Sequence, residues 1–421
     1  MDVLQDLQYR GLVYQHTDLE TLSARLRKSP LTLYCGFDPT ADSLHIGHLL
    51  PVLVLRRFQL AGHRPIALVG GGTGLIGDPS GKTTERALNA QDLVANWGQN
   101  IRRQLEQFLD FDSQENPAIM ADNYTWLSSL QVIDFLRDIG RHFSIGTMLA
   151  KDSVESRMNR GISYTEFSYM ILQSYDYMKL HETYQCELQI GGQDQWGNIT
   201  AGIDLIRRMS VNENKEAHAL TLPLVTKSDG TKFGKTESGA IWLDATKTSP
   251  YQFYQFWLNT DDRDVVKFLK FFTFLPPADI DALAEEVALQ PEKRAAHQAL
   301  AREMTALVHG SEALQRARKI SQALFSEDLK ELSPEEIEEG FMDVPAATFQ
   351  DDCLNFVDFL VRSGVVTSKR QAREAIAAGS IYVNNVRNTD ADADISSFER
   401  IGGTYVVIRR GKKNYHLIRF V

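Results

Sequence analysis

Cysteine is scarce in this 421-residue chain, which has three, at Cys35, Cys186 and Cys353. No two of them form a C-x-x-C pair, and an odd number cannot all be disulfide-bonded, so neither a zinc ribbon nor a disulfide-stapled secreted scaffold is indicated. We therefore expect free thiols, a cytoplasmic location and no metal site built from protein side chains.

Targeting signals and long apolar runs are also missing. The N-terminus, Met1–Asp6, has neither the basic start nor the apolar core of a signal peptide, and no uncharged apolar run reaches membrane-spanning length. Apolar residues make up 43% of the chain and charged residues 24%, which is ordinary for a globular protein. The sequence predicts a soluble protein with no membrane partner.

Positive charge is in deficit, with a formal net charge of -10. This argues against a nucleic-acid partner for the chain as a whole. The deficit is uneven, because residues 351–421 hold 11 Lys plus Arg against 8 Asp plus Glu, a net charge of +3 that leaves -13 for the remainder. A basic tail on an acidic body is a weak indication of RNA contact.

Apolar strand-like runs alternate with helical patterns through the first 220 residues. The predicted strands are Leu31–Phe37, Arg64–Gly70, Ala118–Ala121 and Glu187–Ile190, and helical patterns such as Leu49–Ala61 and Trp97–Leu109 lie between them. This βαβ alternation predicts an α/β fold with a doubly wound, Rossmann-like parallel sheet, in which ligands bind at the carboxyl ends of the strands.

The chain is longer than one hydrophobic core usually supports, so further domains are expected. From Ser249 to about Ala323 the pattern is helical throughout, and an acidic, proline-bracketed stretch follows it. The predicted division is a Rossmann-like domain at 1–220, a mobile loop at 221–247, a helical domain at 248–325, an acidic linker at 326–348 and a C-terminal domain at 349–421.

The C-terminal segment predicts a small α+β domain. Ser368 can cap a helix that begins at Lys369, Gly379 can end it, and two β-hairpins follow. The pattern resembles the S4-like RNA-binding fold, in which a basic capped helix faces RNA phosphates. A solvated charged helix is the alternative. The predicted RNA-contacting residues are Lys369, Arg370 and Arg373.

Two short polar segments indicate a phosphate site. The first, His45-Ile46-Gly47-His48, follows a predicted strand and opens a predicted helix, so its imidazoles would lie at a helix N-terminus, which suits anions. The second, Lys232-Phe233-Gly234-Lys235-Thr236, places two lysines three residues apart in a polar stretch. Together they indicate a nucleoside triphosphate held from two sides. The first segment alone is explained equally well by ordinary helix-start histidines.

A glycine-rich loop invites a competing interpretation. Gly72–Gly77 matches the G-x-G-x-x-G dinucleotide pattern, but Asp78-Pro79-Ser80-Gly81 breaks a helix where the pyrophosphate would need one. The spacing to Gly81 also misses the P-loop. Asp78 in such a loop can receive an ammonium group or simply stabilise the turn before proline. The cations Lys82 and Arg86 follow closely.

Three polar side chains, Tyr169, Gln173 and Asp176, share one face of a predicted helix because their spacings are four and three residues. They predict a lined pocket, and the solvent-facing side of an amphipathic helix is the alternative. The run Gly191–Ile199 ends a strand with small residues and amide side chains, which suits close approach to a ribose.

These segments resemble the class I aminoacyl-tRNA synthetases, whose hallmark motifs are His-x-Gly-His after the first strand and a Lys-Met-Ser-Lys-Ser loop. Here Phe233-Gly234 replaces Met-Ser and Thr236 replaces the last Ser, while both lysines are kept. Within that class, the chain resembles the bacterial tyrosyl-tRNA synthetases over essentially its entire length. The segments that carry the resemblance are Tyr34–Thr40, Gly77–Lys82, the three helix residues and Gly191–Ile199.

The resemblance implies an enzyme that joins L-tyrosine and ATP into tyrosyl-adenylate, releases pyrophosphate, and then transfers tyrosine to the 3′ terminal ribose of tRNA(Tyr). It implies a homodimer and no permanently bound cofactor, with ATP entering as substrate together with Mg²⁺. A tryptophanyl-tRNA synthetase is the rival enzyme, against which Tyr34 paired with Asp176 and the S4-like tail favour tyrosine. A non-catalytic RNA-binding protein on a degenerate scaffold is the rival of another class, and the intact histidines and lysines argue against it.

The resemblance also assigns roles by position. For tyrosine it assigns Tyr34 and Asp176 to the phenol hydroxyl, Asp78, Tyr169 and Gln173 to the ammonium group, and Gln195 to the carboxylate. For ATP it assigns Cys35, Gly36, Asp38, His45, Gly47, His48, Gly192, Asp194 and Lys235. The implied catalytic groups are Thr40, His45, His48, Lys82, Arg86, Lys232, Lys235 and Thr236.

Overall fold

The structure, a computed structural model, describes residues 1–80, 88–158, 161–209, 216–230, 233–236, 239–324, 328–342, 344–350, 355–411 and 414–421. The chain divides into two compact units, one of residues 1–247 and 261–296 and one of residues 248–260 and 297–421. The stretch 248–325, predicted as a helical domain, contributes to both units.

The described residues form thirteen strands. They are β1 Gln15–His16, β2 Thr32–Phe37, β3 Arg64–Val69, β4 Ile119–Asp122, β5 Cys186–Gly192, β6 His218–Leu222, β7 Lys235–Thr236, β8 Gly239–Ala240, β9 Ala346–Phe349, β10 Ile381–Val383, β11 Val386–Arg387, β12 Tyr405–Arg410 and β13 Asn414–Phe420. The four strands predicted in the first 220 residues correspond to β2 to β5, with ends that differ by one or two residues.

The α-helices among the described residues are α1 Val3–Tyr9, α2 Leu19–Lys28, α3 Ile46–Leu60, α4 Gln91–Leu105, α5 Tyr124–Leu127, α6 Val132–Asp134, α7 Ile145–Leu149, α8 Asp152–Met158, α9 Tyr164–Tyr184, α10 Trp196–Met209, α11 Pro250–Leu258, α12 Asp262–Phe272, α13 Pro277–Leu289, α14 Ala295–Ala323, α15 Pro334–Gly340, α16 Phe356–Arg362 and α17 Lys369–Ala377. Gly310 interrupts α14 with non-helical dihedral angles. A π-helical turn spans Phe135–Ile139, and 3₁₀ turns span Thr73–Leu75, Gly140–His142, Gln193–Gln195, Pro291–Lys293, Asp328–Glu331 and Ile395–Ser397. No described helix is both long and apolar enough to cross a membrane.

The first unit is built on a six-stranded sheet in the order β1-β6-β5-β2-β3-β4. Its inner pairs are parallel, which confirms the doubly wound fold, and the chain leaves β2 toward β3 on one side while β5 lies on the other. That reversal creates a crevice at the carboxyl ends of β2 and β5, where open α/β sheets bind ligands. The core strands are apolar on both faces, as in β3, where each residue after Arg64 is buried.

One edge of this sheet differs from the predicted parallel arrangement. Strand β1 pairs antiparallel with β6 through Gln15 and His16, so the sheet is mixed. The pairing is reinforced by Thr221, whose hydroxyl accepts a hydrogen bond from the Gln15 backbone N–H at 3.0 Å. A strand of two residues has no alternation of apolar and polar positions, so it left no periodic signal in the sequence.

The second unit contains a five-stranded sheet in the order β11-β10-β12-β13-β9. Strand β9 overlaps the end of the predicted acidic linker and pairs parallel with β13. The two faces of β12 bury alternate residues: Val406 and Ile408 pack with the helical side chains of α16 and α17, whereas Val407 packs with Ile337 of α15. The stretch predicted as a linker therefore contributes a strand and a helix to the core of this unit.

A two-residue turn, Asn384-Asn385, joins β10 to β11. Both residues have positive φ, +47° and +64°, as the twist of a tight hairpin requires, and asparagine tolerates this conformation. The buried Asn384 side chain also accepts a hydrogen bond from the Val407 backbone N–H at 2.9 Å and donates one to the Glu399 carbonyl at 2.6 Å. This side chain therefore fastens the turn to the neighbouring strand β12.

We predict that Asn384→Gly destabilises the second unit by about 1–3 kcal/mol, because glycine keeps the positive φ but leaves the buried Val407 N–H without its side-chain acceptor. Thermal unfolding and hydrogen exchange at the Val407 amide measure the effect. Asn385→Gly is the matched control, since its side-chain contacts, at 3.2 and 3.4 Å, are longer. Equal stability of the two variants would show that Asn384 acts through its backbone alone.

Candidate active site

A cleft of about 250 Å³, open to solvent, lies at the carboxyl ends of β2 and β5. The predicted site residues that line it are Tyr34, Cys35, Gly36, Asp38, Thr40, His48, Asp78, Tyr169, Gln173, Asp176, Gly192, Asp194 and Gln195. Residues from β2, α9 and the end of β5 therefore meet in one place.

The floor of the cleft holds a buried phenol hydroxyl. Tyr34 is 1% exposed, and its hydroxyl has no hydrogen-bond partner among the residues that the structure describes. Its ring leans on the Tyr177 ring at 5.3 Å between centroids, which fixes the direction of the side chain. Leaving such a group unpaired costs about 1–3 kcal/mol, so the position favours a ligand that brings a polar atom to it.

A buried carboxyl, Asp176, faces the same end of the cleft. It is 2% exposed and accepts hydrogen bonds from Asn123 Nδ2 at 2.8 Å and Trp126 Nε1 at 2.7 Å. Burial raises the pKa of Asp176 to about 7, and the two N–H donors oppose that rise because they stabilise the ionised form. Asp176 can therefore change its charge near neutral pH.

A second carboxylate, Asp38, is held by two hydroxyl groups. Tyr169 Oη donates to it at 2.7 Å and Thr73 Oγ1 at 2.8 Å. Asn123 Nδ2 in turn donates to Thr73 Oγ1 at 2.9 Å, so Asp38 and Asp176 belong to one hydrogen-bonded chain. Burial and the neighbouring Asp38 raise the pKa of Tyr169 well above its ordinary value, which keeps its hydroxyl protonated as a donor.

The third carboxylate, Asp78, lies at the other wall of the cleft. Gln195 Nε2 donates to it at 2.7 Å, and the Ser80 backbone N–H donates at 2.9 Å. Gln173 accepts from Asn198 Nδ2 at 3.0 Å, which orients its amide group. Asp78 and Gln173, both predicted at the ammonium site, are thus held by a common group of amide side chains.

The two histidines of the first phosphate motif stack at the start of α3, with ring centroids 3.9 Å apart. His45 is the N-cap: its Nδ1 accepts from the Gly47 backbone N–H at 3.0 Å, and His48 Nδ1 accepts from the His45 backbone N–H at 3.2 Å. Because each Nδ1 is an acceptor, the neutral rings carry their proton on Nε2. A Cβ on Gly47 would lie 2.7 Å from the His45 ring, so a larger residue would displace it.

The second phosphate motif lies against the first. The Ile46 N–H donates to the Ile241 carbonyl and the Ile241 N–H donates to the Gly234 carbonyl, both at 3.0 Å. His45 forms an isolated antiparallel bridge with Trp242. Segments about 190 residues apart in the sequence therefore meet at the N-terminus of α3.

Several predicted residues are not part of the described cleft. Lys82, Arg86 and Lys232 lie outside the described residues, and Lys235 and Thr236 are described only as the backbone of β7. His45 and Gly47 begin α3 next to the cleft without lining it. The dinucleotide interpretation finds no support, since a 3₁₀ turn ends at Leu75 and no helix begins in residues 76–80.

The predicted RNA-facing cations lie on α17, which Ser368 caps as expected by accepting from the Gln371 N–H. Lys369, Arg370 and Arg373 are all exposed. Lys369 Nζ lies 2.5 Å from Asp358 and Arg370 Nε lies 2.8 Å from Glu374. Exposed pairs of this kind are weak, so both side chains can exchange a carboxylate for a phosphate.

Sequence reasoning did not name Asn123 and Trp126, which organise the cleft, and it named Thr73 and Asn198 only within longer runs, without a role of their own. Asn123 follows β4 directly, at the carboxyl edge of the sheet, and that position was an available signal. Trp126 and Thr73 lie in short turns without periodicity, so only the folded structure connects them to Asp176 and Asp38. Among the residues that the structure describes, no group of three or more acidic, histidine or cysteine side chains forms a metal site.

Comparisons with known proteins agree with this geometry. A model of the family described as tRNA synthetases class I (W and Y) matches residues 26–326, and one described as the tyrosine–tRNA ligase SYY-like C-terminal domain matches residues 336–418. The chain is 65% identical over 421 residues to the tyrosine–tRNA ligase of Desulfitobacterium hafniense and 61% identical over 420 residues to tyrosine–tRNA ligase 1 of Bacillus cereus. Each alignment covers 100% of this chain and 100% of the relative.

A solved structure extends the likeness to three dimensions. The C-terminally truncated mitochondrial tyrosyl-tRNA synthetase of Aspergillus nidulans is 30% identical, with a TM-score of 0.70, over 77% of this chain and 94% of that one.

We predict that Asp176 gains a proton as the pH falls through about 7 and that Asn123→Ala moves this titration to higher pH, because the lost hydrogen bond stabilises the ionised carboxylate. Infrared difference spectra of the protonated carboxyl band measure it. Asp176→Asn is the control that assigns the band. A titration below pH 5 in the unaltered protein would contradict the burial argument.

Proposed function

The chain belongs to the class I tRNA synthetases of the tryptophan and tyrosine group, and from this membership we propose how its cleft acts as the active site of a tyrosine–tRNA ligase. The enzyme activates L-tyrosine with ATP and transfers the tyrosyl group to tRNA(Tyr). The observation that carries the proposal is the unpaired, buried Tyr34 hydroxyl facing the same end of the cleft as Asp176.

The amino-acid side chain is recognised at that end. A phenol hydroxyl can donate to the Asp176 carboxylate while it accepts from the Tyr34 hydroxyl, so both buried groups are satisfied. A phenylalanine ring supplies neither bond, and an indole N–H donates but cannot accept. The pair therefore favours tyrosine over both rivals.

The ammonium and carboxylate groups of tyrosine extend toward the mouth of the cleft. We assign the ammonium group to the Asp78 carboxylate, the Tyr169 hydroxyl and the Gln173 amide oxygen, a set with one formal negative charge and two neutral acceptors. Gln195, which donates to Asp78, is assigned to the tyrosyl carboxylate. The substrate carboxylate would thereby point toward the histidines of α3.

The activation step needs no general base, because a carboxylate is already ionised at neutral pH. One carboxylate oxygen attacks the α-phosphorus of ATP, a new P–O bond forms, and the bond to the bridging oxygen breaks so that its electron pair leaves with pyrophosphate. Catalysis then depends on alignment and on stabilising the charge that moves onto the departing phosphates.

Positive and hydrogen-bonding groups converge on that charge. The Nε2–H groups of His45 and His48 and the positive end of α3 face it from one motif. Thr40, Lys82, Arg86, Lys232, Lys235 and Thr236 are the further groups that we assign to the phosphates. Mg²⁺ would arrive with ATP as part of the substrate, so the protein need not hold a metal site of its own. Cys35, Gly36, Asp38, Gly47, Gly192 and Asp194 are assigned to the nucleotide.

Three finer proposals concern partners and location. An exposed apolar segment, Val132, Ile133 and Leu136, supports a homodimer, since such surface is commonly covered in an assembly. The exposed cations of α17 support contact with the tRNA backbone. The free, buried thiols of Cys35 and Cys186 support a reducing cytoplasm.

Tyrosine-dependent exchange between ATP and pyrophosphate tests the proposal directly. Tyrosine should support exchange, and phenylalanine and tryptophan should support far less. Exchange that depends on tryptophan, or no exchange with any amino acid, would contradict the assignment of the cleft.

We predict that Tyr34→Phe weakens tyrosine binding about 2- to 12-fold and narrows the preference for tyrosine over phenylalanine, because one neutral hydrogen bond to the phenol is lost. Exchange kinetics with both amino acids measure it. Tyr177→Phe is the matched control: its buried hydroxyl bonds to the Glu187 and His218 carbonyls and does not line the cleft, so it should lower stability and leave discrimination unchanged.

We predict that His45→Ala slows adenylate formation about 100- to 1,000-fold and barely changes the Kd of tyrosine, because the lost donor acts on charge that develops in the transition state. Stopped-flow adenylate formation and equilibrium tyrosine binding separate the two effects. His45→Asn restores an N-cap without the imidazole and should remain slow. A normal rate in His45→Asn would reduce His45 to a helix cap.

A further inference from the structure

Helix α12 holds a buried carboxylate against the segment that leads into the second phosphate motif. Asp264 is 3% exposed, and its Oδ2 accepts from the Ser228 backbone N–H at 2.8 Å and from the Ser228 hydroxyl at 3.0 Å. Ser228 itself is exposed. A buried carboxylate is costly unless it is well bonded, so this contact commits an exposed loop to one position.

The next turn of α12 adds a second contact to the same loop. Lys267 Nζ donates to the Thr226 carbonyl at 2.6 Å and lies 3.1 Å from Asp264 Oδ1. Asp264 and Lys267, three residues apart on one face of the helix, therefore hold Ser228 and Thr226 by hydrogen bonds.

An aromatic contact fixes the motif itself. The Phe233 ring stacks on Phe272, with centroids 5.2 Å apart and planes 17° apart, and meets the edge of Phe268 at 5.0 Å. Phe233 stands where the common form of the motif has methionine, and a rigid ring loses less freedom on docking than a flexible thioether side chain.

The same stretch ends against the first motif. Gly234 has φ of +78°, and a Cβ there would lie 2.9 Å from Ile46 Cγ1. Its carbonyl accepts from Ile241, whose carbonyl accepts from Ile46 at the start of α3. Thr226, Ser228 and Phe233 are therefore tied to α12, and Gly234 is tied to the start of α3 through Ile241.

We propose that Asp264 is a positioning residue for the second phosphate motif. Together with Lys267 and the Phe268–Phe272 pair, it docks Thr226, Ser228 and Phe233 and so sets where the backbone of Lys235 lies relative to the start of α3. The proposal rests on the phosphate role given to this motif above. Docking the loop in advance removes an ordering cost from the step in which pyrophosphate departs.

The first test compares two charge-removing variants of one helix. Asp264→Asn keeps the side-chain volume, loses the charge-assisted bonds to Ser228 and Lys267, and should slow adenylate formation about 5- to 30-fold with an unchanged Kd for tyrosine. Asp262→Asn, at the exposed start of α12, removes the same charge and should react normally. Ser228→Ala, which removes one of the two Ser228 bonds to Asp264 at an exposed position, should slow the reaction less than Asp264→Asn does. Equal rates for Asp264→Asn and Asp262→Asn would overturn the proposal.

A double-mutant cycle separates positioning from general stability. If Asp264 acts through the loop, Lys235→Ala should reduce the rate of adenylate formation by a much smaller factor in the Asp264→Asn background than in the unaltered protein. Independent effects, which multiply, would mean that Asp264 acts elsewhere.

Hydrogen exchange tests, independently of activity, whether Asp264 holds the loop against α12. In Asp264→Asn the amides of Ser228 and Ile241 should exchange faster, while those of β3 keep their protection. Unchanged exchange at Ser228 and Ile241 would overturn the proposal even in an active enzyme. Absence of tyrosine-dependent pyrophosphate exchange in the unaltered protein would instead refute the proposed function, and the two failures are thus distinguishable.

Discussion

The active-site cleft depends on keeping the Asp176 carboxyl out of water. Its burial is expensive, and the structure offsets that cost with two N–H donors, from Asn123 and Trp126. Each carboxyl oxygen accepts one of these bonds and keeps a free lone pair, and the Tyr34 hydroxyl, which has no partner among the described residues, lines the same cleft. The free ligand-binding capacity at this end therefore matches a group that both donates and accepts, which a phenol does and an indole does not.

The chain of hydrogen bonds from Asp176 through Asn123 and Thr73 to Asp38 couples the two ends of the cleft. Such a chain is stiff because each polar group has only one good arrangement of its bonds. At the nucleotide end the same logic recurs at the start of α3, where each histidine uses Nδ1 for the backbone and thereby presents Nε2–H. The proposed specificity at one end and the proposed phosphate chemistry at the other thus both depend on side chains oriented by hydrogen bonds, from Asn123 and Trp126 to Asp176 and from the backbone to the two histidines.

Much of this arrangement could be predicted from the sequence, because strong periodicities locate elements and elements locate side chains. The spacing of Tyr169, Gln173 and Asp176 along one helix predicted a lined pocket, and the family resemblance added Tyr34 to it. All four residues line one cleft. The features that could not be predicted depend on tertiary contacts, which leave no local pattern in the sequence. Asn123 and Trp126 lie in a short turn after β4, and Asp264 lies on an amphipathic helix whose loop contact cannot be inferred from spacing. The strand β9, at the end of an acidic stretch, forms because β13 offers it a partner.

A crystal structure of the protein with bound L-tyrosine would test the central claim most directly. The account predicts the phenol oxygen within about 3 Å of both Tyr34 Oη and an Asp176 carboxyl oxygen, with the ammonium group at Asp78. Tyrosine bound with its ammonium group at Asp176, or bound outside the cleft between β2 and β5, would contradict it.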